Sequence, residues 1–163
     1  MTTKAEAALN WILQSNSLQK KEKQEFIKLV ERILKNHGFK RVSKVFEGER
    51  KQYRALRFEK LISENRGQWI KFVFEKYGKR CFFVTIGISE ISSPNKHLLV
   101  GHVIRRKNEN QYWWGSKWYS IFRQRAWMKA TKKVSQKVPQ LALYLDEAKI
   151  GEEVHRYIIL SSL

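Results

Sequence analysis

Between Gln111 and Lys137 the sequence reads QYWWGSKWYSIFRQRAWMKATKKVSQK, with four of the chain's six tryptophans among seven Lys or Arg and no acidic residue. Aromatic rings stack on nucleobases and cations neutralise phosphates, so rings and cations interleaved in this way suit a nucleic-acid surface. The same composition also arises where large rings pack into a core and lysines remain in the water around it. Helical periodicity separates the two readings. A helix over 117–137 turns Trp127 and Val134 to one side, and Val138, Leu141 and Leu145 continue that stripe. The opposite side collects Trp118, Phe122, Arg125, Lys129, Lys132, Lys133 and Gln136. Trp113 and Trp114 are assigned to the core with Trp127. The expected nucleic-acid contacts are Trp118, Phe122, Arg125, Lys129, Lys132 and Lys133, joined by Arg105 and Arg106 from the charged turn before Gln111.

The residues that would support bond-breaking chemistry are poorly arranged for it. Fourteen of the fifteen acids are Glu, and Asp146 is the only Asp, so a two-metal phosphoryl-transfer site is hard to assemble. Glu49-Arg50-Lys51 has the Glu-x-Lys spacing found in some nucleases, but no Asp precedes it, and it reads as a solvated turn. The histidines at 37, 97, 102 and 155 form neither HExxH nor paired zinc spacing. His37 reads as part of a helix C-terminus. His97 and His102 lie five residues apart on an expected strand, which points them to opposite faces. Cys81 opens a strand expected to be buried and reads as a packed thiol. The eight glycines make no phosphate-cradling loop. The expectation is a non-enzymatic binding module without catalytic residues, metal or cofactor.

Charge narrows the partner class. The net charge is +18, concentrated in 41–80 (12 basic, 5 acidic) and 101–140 (10 basic, 1 acidic). Such a surface attracts polyanions by long-range steering, which favours DNA or RNA as partner. The alternative is an immunity-like or inhibitory protein whose basic face meets an acidic protein. One cysteine and a polar start, MTTKAEAALN, fit a cytoplasmic protein. No apolar run approaches the ~20 residues that cross a bilayer.

The elements that must position these residues follow from periodicity. A short helix is expected over 5–13, ending at Ser15-Asn16-Ser17, and a second over 20–37, where Phe26, Leu29, Val30, Ile33 and Leu34 form a stripe stopped by Gly38. Alternation then predicts strands around 42–46 and 53–58, with a turn at Glu47-Gly48-Glu49. A hairpin of Trp69–Phe74 and Cys81–Ile88 should be central, entered through a turn at Asn65-Arg66-Gly67 and connected through Tyr77-Gly78-Lys79-Arg80. Leu98–Arg105 is expected to pair with Gln111–Trp114. Ser116 suits a helix N-cap. Pro139 is expected to kink that helix or start another. The terminal Tyr157-Ile158-Ile159-Leu160 run fits a helix or a strand. Together these predict an α+β fold in a single domain, 1–163, with an antiparallel sheet of about six strands packed against N-terminal and C-terminal helices.

The segments EFIKLVERILKNHGFKR, YRALRFEK and FFVTIGI, within Lys21 to Ile88, resemble an uncharacterised bacterial family of domains of unknown function, in which a helix ending in Gly-Phe feeds an antiparallel sheet. The resemblance implies an α+β fold and a small stand-alone intracellular protein, and it carries over no catalytic residue. The basic, Trp-rich segment lies outside it.

Overall fold

A computed structural model describes residues 4–42, 53–75, 80–93, 96–105, 112–115, 123–148 and 156–159. The chain opens with one helix, α1 (Lys4–Asn36), where two were expected. Ser15-Asn16-Ser17 does not break it. No Gly or Pro occurs in the segment, and Ser or Asn inside a helix costs only about 0.7 kcal/mol or less relative to Ala. The stop falls where expected. Gly38 adopts a φ of +83°, Gly38 N–H donates to the Lys35 carbonyl (3.1 Å), and Phe39 N–H donates to that of Leu34 (3.0 Å). This is the paired arrangement of a Schellman cap, and both of its hydrophobic members, Leu34 and Phe39, are buried.

Among the described residues seven strands follow: β1 (Lys40–Val42), β2 (Tyr53–Ser63), β3 (Arg66–Glu75), β4 (Cys81–Glu90), β5 (His97–Ile104), β6 (Trp113–Gly115) and β7 (Arg156–Ile159). Their order is β1-β2-β3-β4-β5-β7, antiparallel throughout except for the parallel β5–β7 pair, while β6 pairs with β4. The β2–β3 hairpin turns at Glu64-Asn65, one residue before the expected turn, and β3 begins at Arg66. The Glu47–Glu49 and Tyr77–Lys79 turns lie outside the described residues. The terminal run resolves as a strand because the free edge of β5 accepts it, with Gly101 opposite Arg156 and Ile104 opposite Ile159.

Gln111–Trp114 was expected to pair with Leu98–Arg105, and the structure corrects this. β6 pairs with β4 instead, with Cys81 opposite Gly115, Phe82 opposite Trp114 and Phe83 opposite Trp113. β5 covers β4 only from Thr85 to Ser89, so the first residues of β4 have an open edge, which β6 fills. β4 is consequently flanked on both sides and almost wholly buried, as the apolar run Cys81–Ile88 predicts.

α2 (Arg123–Glu147) continues through Pro139 without ending. Proline in a helix interior costs about 3 kcal/mol. The stripe on either side of it, Trp127, Val134, Val138, Leu141 and Leu145, is fully or almost fully buried, and each such side chain contributes about 1.5–3 kcal/mol. Burial therefore outweighs the proline. Both helices pack on one face of the sheet. Phe26 of α1 meets Phe72 (5.9 Å between centroids), Phe82 (5.1 Å) and Trp127 of α2 (6.1 Å), and one buried cluster joins the helices to every second residue of the central strands. The fold is α+β, a mostly antiparallel sheet with an N-terminal and a C-terminal helix.

Candidate nucleic-acid interface

α2 carries six basic residues and two acids, and the acids are its last two residues. Cations toward the N-terminus and carboxylates at the C-terminus both oppose the helix dipole, at a cost of about 0.3–1 kcal/mol for each exposed charge in a terminal turn. Helix stability does not explain this distribution. Around the helix, Arg125, Lys129 and Lys132 stand on the exposed ridge, in line with Gln136, while Lys133 is turned toward the sheet and half-buried.

That turn brings three of the expected contact residues together. Arg105, immediately after β5, joins Lys129 and Lys133 around a cavity of about 190 Å³ whose other described lining residues are Trp114, Gly115, Ala126 and Ala130. Trp114 is 3% exposed and is held in place by its indole N–H, which donates to the Val103 carbonyl at 3.2 Å. Arg105 Nη2 donates to the Gly115 carbonyl at 2.6 Å, and the guanidinium carbon lies 6.0 Å from the Trp114 ring centroid, within cation–π range. Gly115 itself has a φ of +90°, and a Cβ there would run into the Arg80 carbonyl, so this wall needs glycine. Ala126 and Ala130 are one helical turn apart, and their small side chains leave the space open.

Among the described residues, no carboxylate lines the cavity. Two lysines and an arginine converge there on a space bounded by an indole and two methyl groups, an arrangement that fits a small anion such as a phosphate. Sequence reasoning placed the cations but missed Trp114, Gly115, Ala126 and Ala130. The one available signal was the pair of alanines four apart inside a cationic helix face.

Lys129 and Lys132 also border a wider groove of about 710 Å³ between α1 and α2, lined by Phe26, Leu29, Trp127 and Met128. Here the cations face acids. Glu22 and Glu25 form the α1 side, Glu22 accepts from Gln124 Nε2 at 3.2 Å, and it lies 3.6 Å from Arg80. The groove is electrically mixed, whereas the charged residues described around the cavity are all basic. Trp118, Phe122 and Arg106 lie outside the described residues.

Two expectations about this region are corrected. Trp113 does not join Trp114 in the core. Neighbouring residues on a strand point to opposite faces, and Trp113 packs on Phe83 on the face away from the helices (4.9 Å). His97 and His102 share that face instead of opposing one another. The pairing slips between Ile88–Leu99 and Ser89–His97, and this bulge inverts the alternation. His97 consequently meets Trp69 (5.8 Å), while His102 meets Tyr112 (5.4 Å). Cys81 is buried, as expected. Among the described residues, no group of three or more His, Cys, Asp or Glu is placed to hold a metal, and no helix is long and apolar enough to cross a membrane.

The sole aspartate serves at the far end of α2. Asp146 accepts from Lys60 Nζ (2.9 and 3.2 Å) and from Gln68 Nε2 (3.0 Å). Burial works against its ionisation, but the hydrogen bonds from Lys60 and Gln68, with the charges of Lys60 and His37, outweigh it and hold the carboxyl below its ordinary value. These contacts tie the helix end to the β2–β3 hairpin.

No protein-family model, curated protein or solved structure matches this chain.

Proposed function

We propose that this protein binds nucleic acid through phosphates, using the ridge of Arg125, Lys129 and Lys132 and the cavity of Arg105, Lys129 and Lys133. The observation that carries this reading is the convergence of cations from two elements on a cavity with no acid among its described lining residues. Like charges brought close repel, and a bound phosphate would reverse the sign of that interaction. Lys129 is common to the ridge and the cavity, so one phosphodiester chain along the ridge can place a phosphate in the cavity. The net charge of +18 adds attraction at long range.

The test is to measure affinity for single-stranded and duplex oligonucleotides at two salt concentrations, with wild type and a Lys129→Gln/Lys133→Gln variant. The expected result is weaker binding by the variant and a slope of log affinity against log salt reduced by about 1.5–2, the change that follows from losing two phosphate contacts. Absence of binding to any oligonucleotide at low salt would sink the reading. An acidic protein would then be the better partner to seek.

A further inference from the structure

The sheet face turned away from α1 and α2 carries, among the described residues, five aromatic rings gathered at one corner: Phe83 on β4, His102 on β5, Tyr112 and Trp113 at β6, and Tyr157 on β7. Register places them side by side. Thr85 lies opposite His102 and His102 opposite Tyr157, while Phe83, two residues before Thr85 on β4, lies opposite Trp113. The rings touch in a closed network. Trp113 meets Phe83 at 4.9 Å and Tyr112 at 5.9 Å, Tyr112 meets Phe83 at 5.6 Å and His102 at 5.4 Å, and His102 meets Tyr157 at 6.1 Å. None belongs to the buried cluster under the helices.

Their exposure separates them from the rest of that face. Trp69, Val73, Val100 and Ile104 are buried there, whereas Phe83, His102, Tyr112 and Trp113 are half-buried and Tyr157 is 62% exposed. Aromatic surface left in contact with water, on a chain with enough apolar residues to bury it elsewhere, marks a contact site. Because the rings already hold one another, a ligand stacking on them loses little side-chain entropy.

We propose that this corner stacks the unpaired bases of single-stranded nucleic acid, a reading that rests on the phosphate-binding function above and specifies its substrate. Two observations favour bases over another apolar partner. Lys71 stands in the same cross-strand row, opposite Thr85 and two strands from His102, so a cation accompanies the rings. β6 links the two sites directly: Trp114 points to the helix face and lines the cationic cavity, while Trp113, the next residue, lies in the ring cluster. A strand passing the edge at β6 therefore meets cations on one side and rings on the other. Bases inside a duplex are already stacked and cannot reach such rings, so the site selects single strands.

The experiment compares a short oligothymidylate with a blunt duplex of the same length, using wild type, Tyr157→Ala, Tyr112→Ala, Tyr157→Phe and the Lys129→Gln/Lys133→Gln variant. Each alanine variant should bind the single strand about 5-fold or more weakly, the loss expected for one stacked base, with the salt slope and duplex affinity unchanged. Tyr157→Phe should bind as wild type does. If the alanine variants bind the single strand normally while the lysine variant is weakened, this inference fails and the phosphate-binding function stands. If nothing binds, both fail. Should the alanine variants not fold, tryptophan fluorescence decides: a quench by oligothymidylate that is lost in Trp113→Phe supports the site, and an equal quench in both proteins overturns it.

Discussion

The two ends of α2 share an apolar stripe and differ in what is done with charge. Near the C-terminus, Asp146 is matched by Lys60, Gln68 and the charge of His37, so each group stabilises the packing of helix on hairpin. Toward the N-terminus, Lys129 and Lys133 converge with Arg105 on a cavity with no carboxylate among its described lining residues. Where charge is complemented inside the molecule, its role ends with folding. Where cations gather beside one another, as Arg105, Lys129 and Lys133 do, the charge is available to an anion from outside, as proposed above.

The largest expected effect tests what the two ends have in common. Leu141 is fully buried two residues beyond Pro139. Leu141→Ala should cost about 2–5 kcal/mol in denaturant unfolding, within the range for removing a buried leucine side chain. A cost under about 1 kcal/mol would mean that the part of α2 after the proline is not anchored to the sheet, and the comparison of its two ends would lose its basis.

A smaller effect distinguishes the C-terminal end. Asp146→Asn should lower stability by about 1 kcal/mol at neutral pH, a modest value because the Lys60–Asp146 pair is partly solvated, and this corresponds to a fall in melting temperature of about 2–4 °C. The pH dependence has a definite sign. The folded carboxyl titrates below its unfolded value of about 3.9, so its contribution is fully present above that value and is lost as pH falls through the lower folded value. Wild type and variant should therefore differ at neutral pH and converge in acid. A difference that persists at pH 2 would assign the effect to packing in place of ionisation.

Which parts of this arrangement were legible in the sequence follows from how local their causes are. The Gly38 stop and the Trp127–Leu145 stripe depend on residues within a few turns of one another, and both appear as read. The continuity of α1 through Ser15–Ser17 and of α2 through Pro139 was missed, because weak propensities and even a proline yield to a helix anchored elsewhere. The partner of β6 was missed because it depends on where β5 stops covering β4, which no local pattern records. The bulge that turns His97 onto the face of His102 has the same origin: register is a property of two strands. Trp113 and Trp114 could have been separated by alternation alone, since Gln111–Trp114 was already expected to be a strand and neighbours on a strand face opposite ways. The cationic row was legible as composition, but its division into ridge and cavity required Arg105 to arrive from a different element.

The smallest expected change is the most informative about the N-terminal end of α2. If Lys129 and Lys133 served the fold, replacing them would weaken it, as Asp146→Asn should. If they are held together for an external anion, Lys129→Gln/Lys133→Gln should leave stability within about 0.5 kcal/mol or raise it slightly, since two like charges four residues apart on a helix repel one another. Added salt provides the control. It screens like-charge repulsion, so the stability of wild type should rise with ionic strength more than that of the variant. A loss above about 1 kcal/mol, insensitive to salt, would place these lysines in the packing of α2 against β6 and erase the contrast with Asp146.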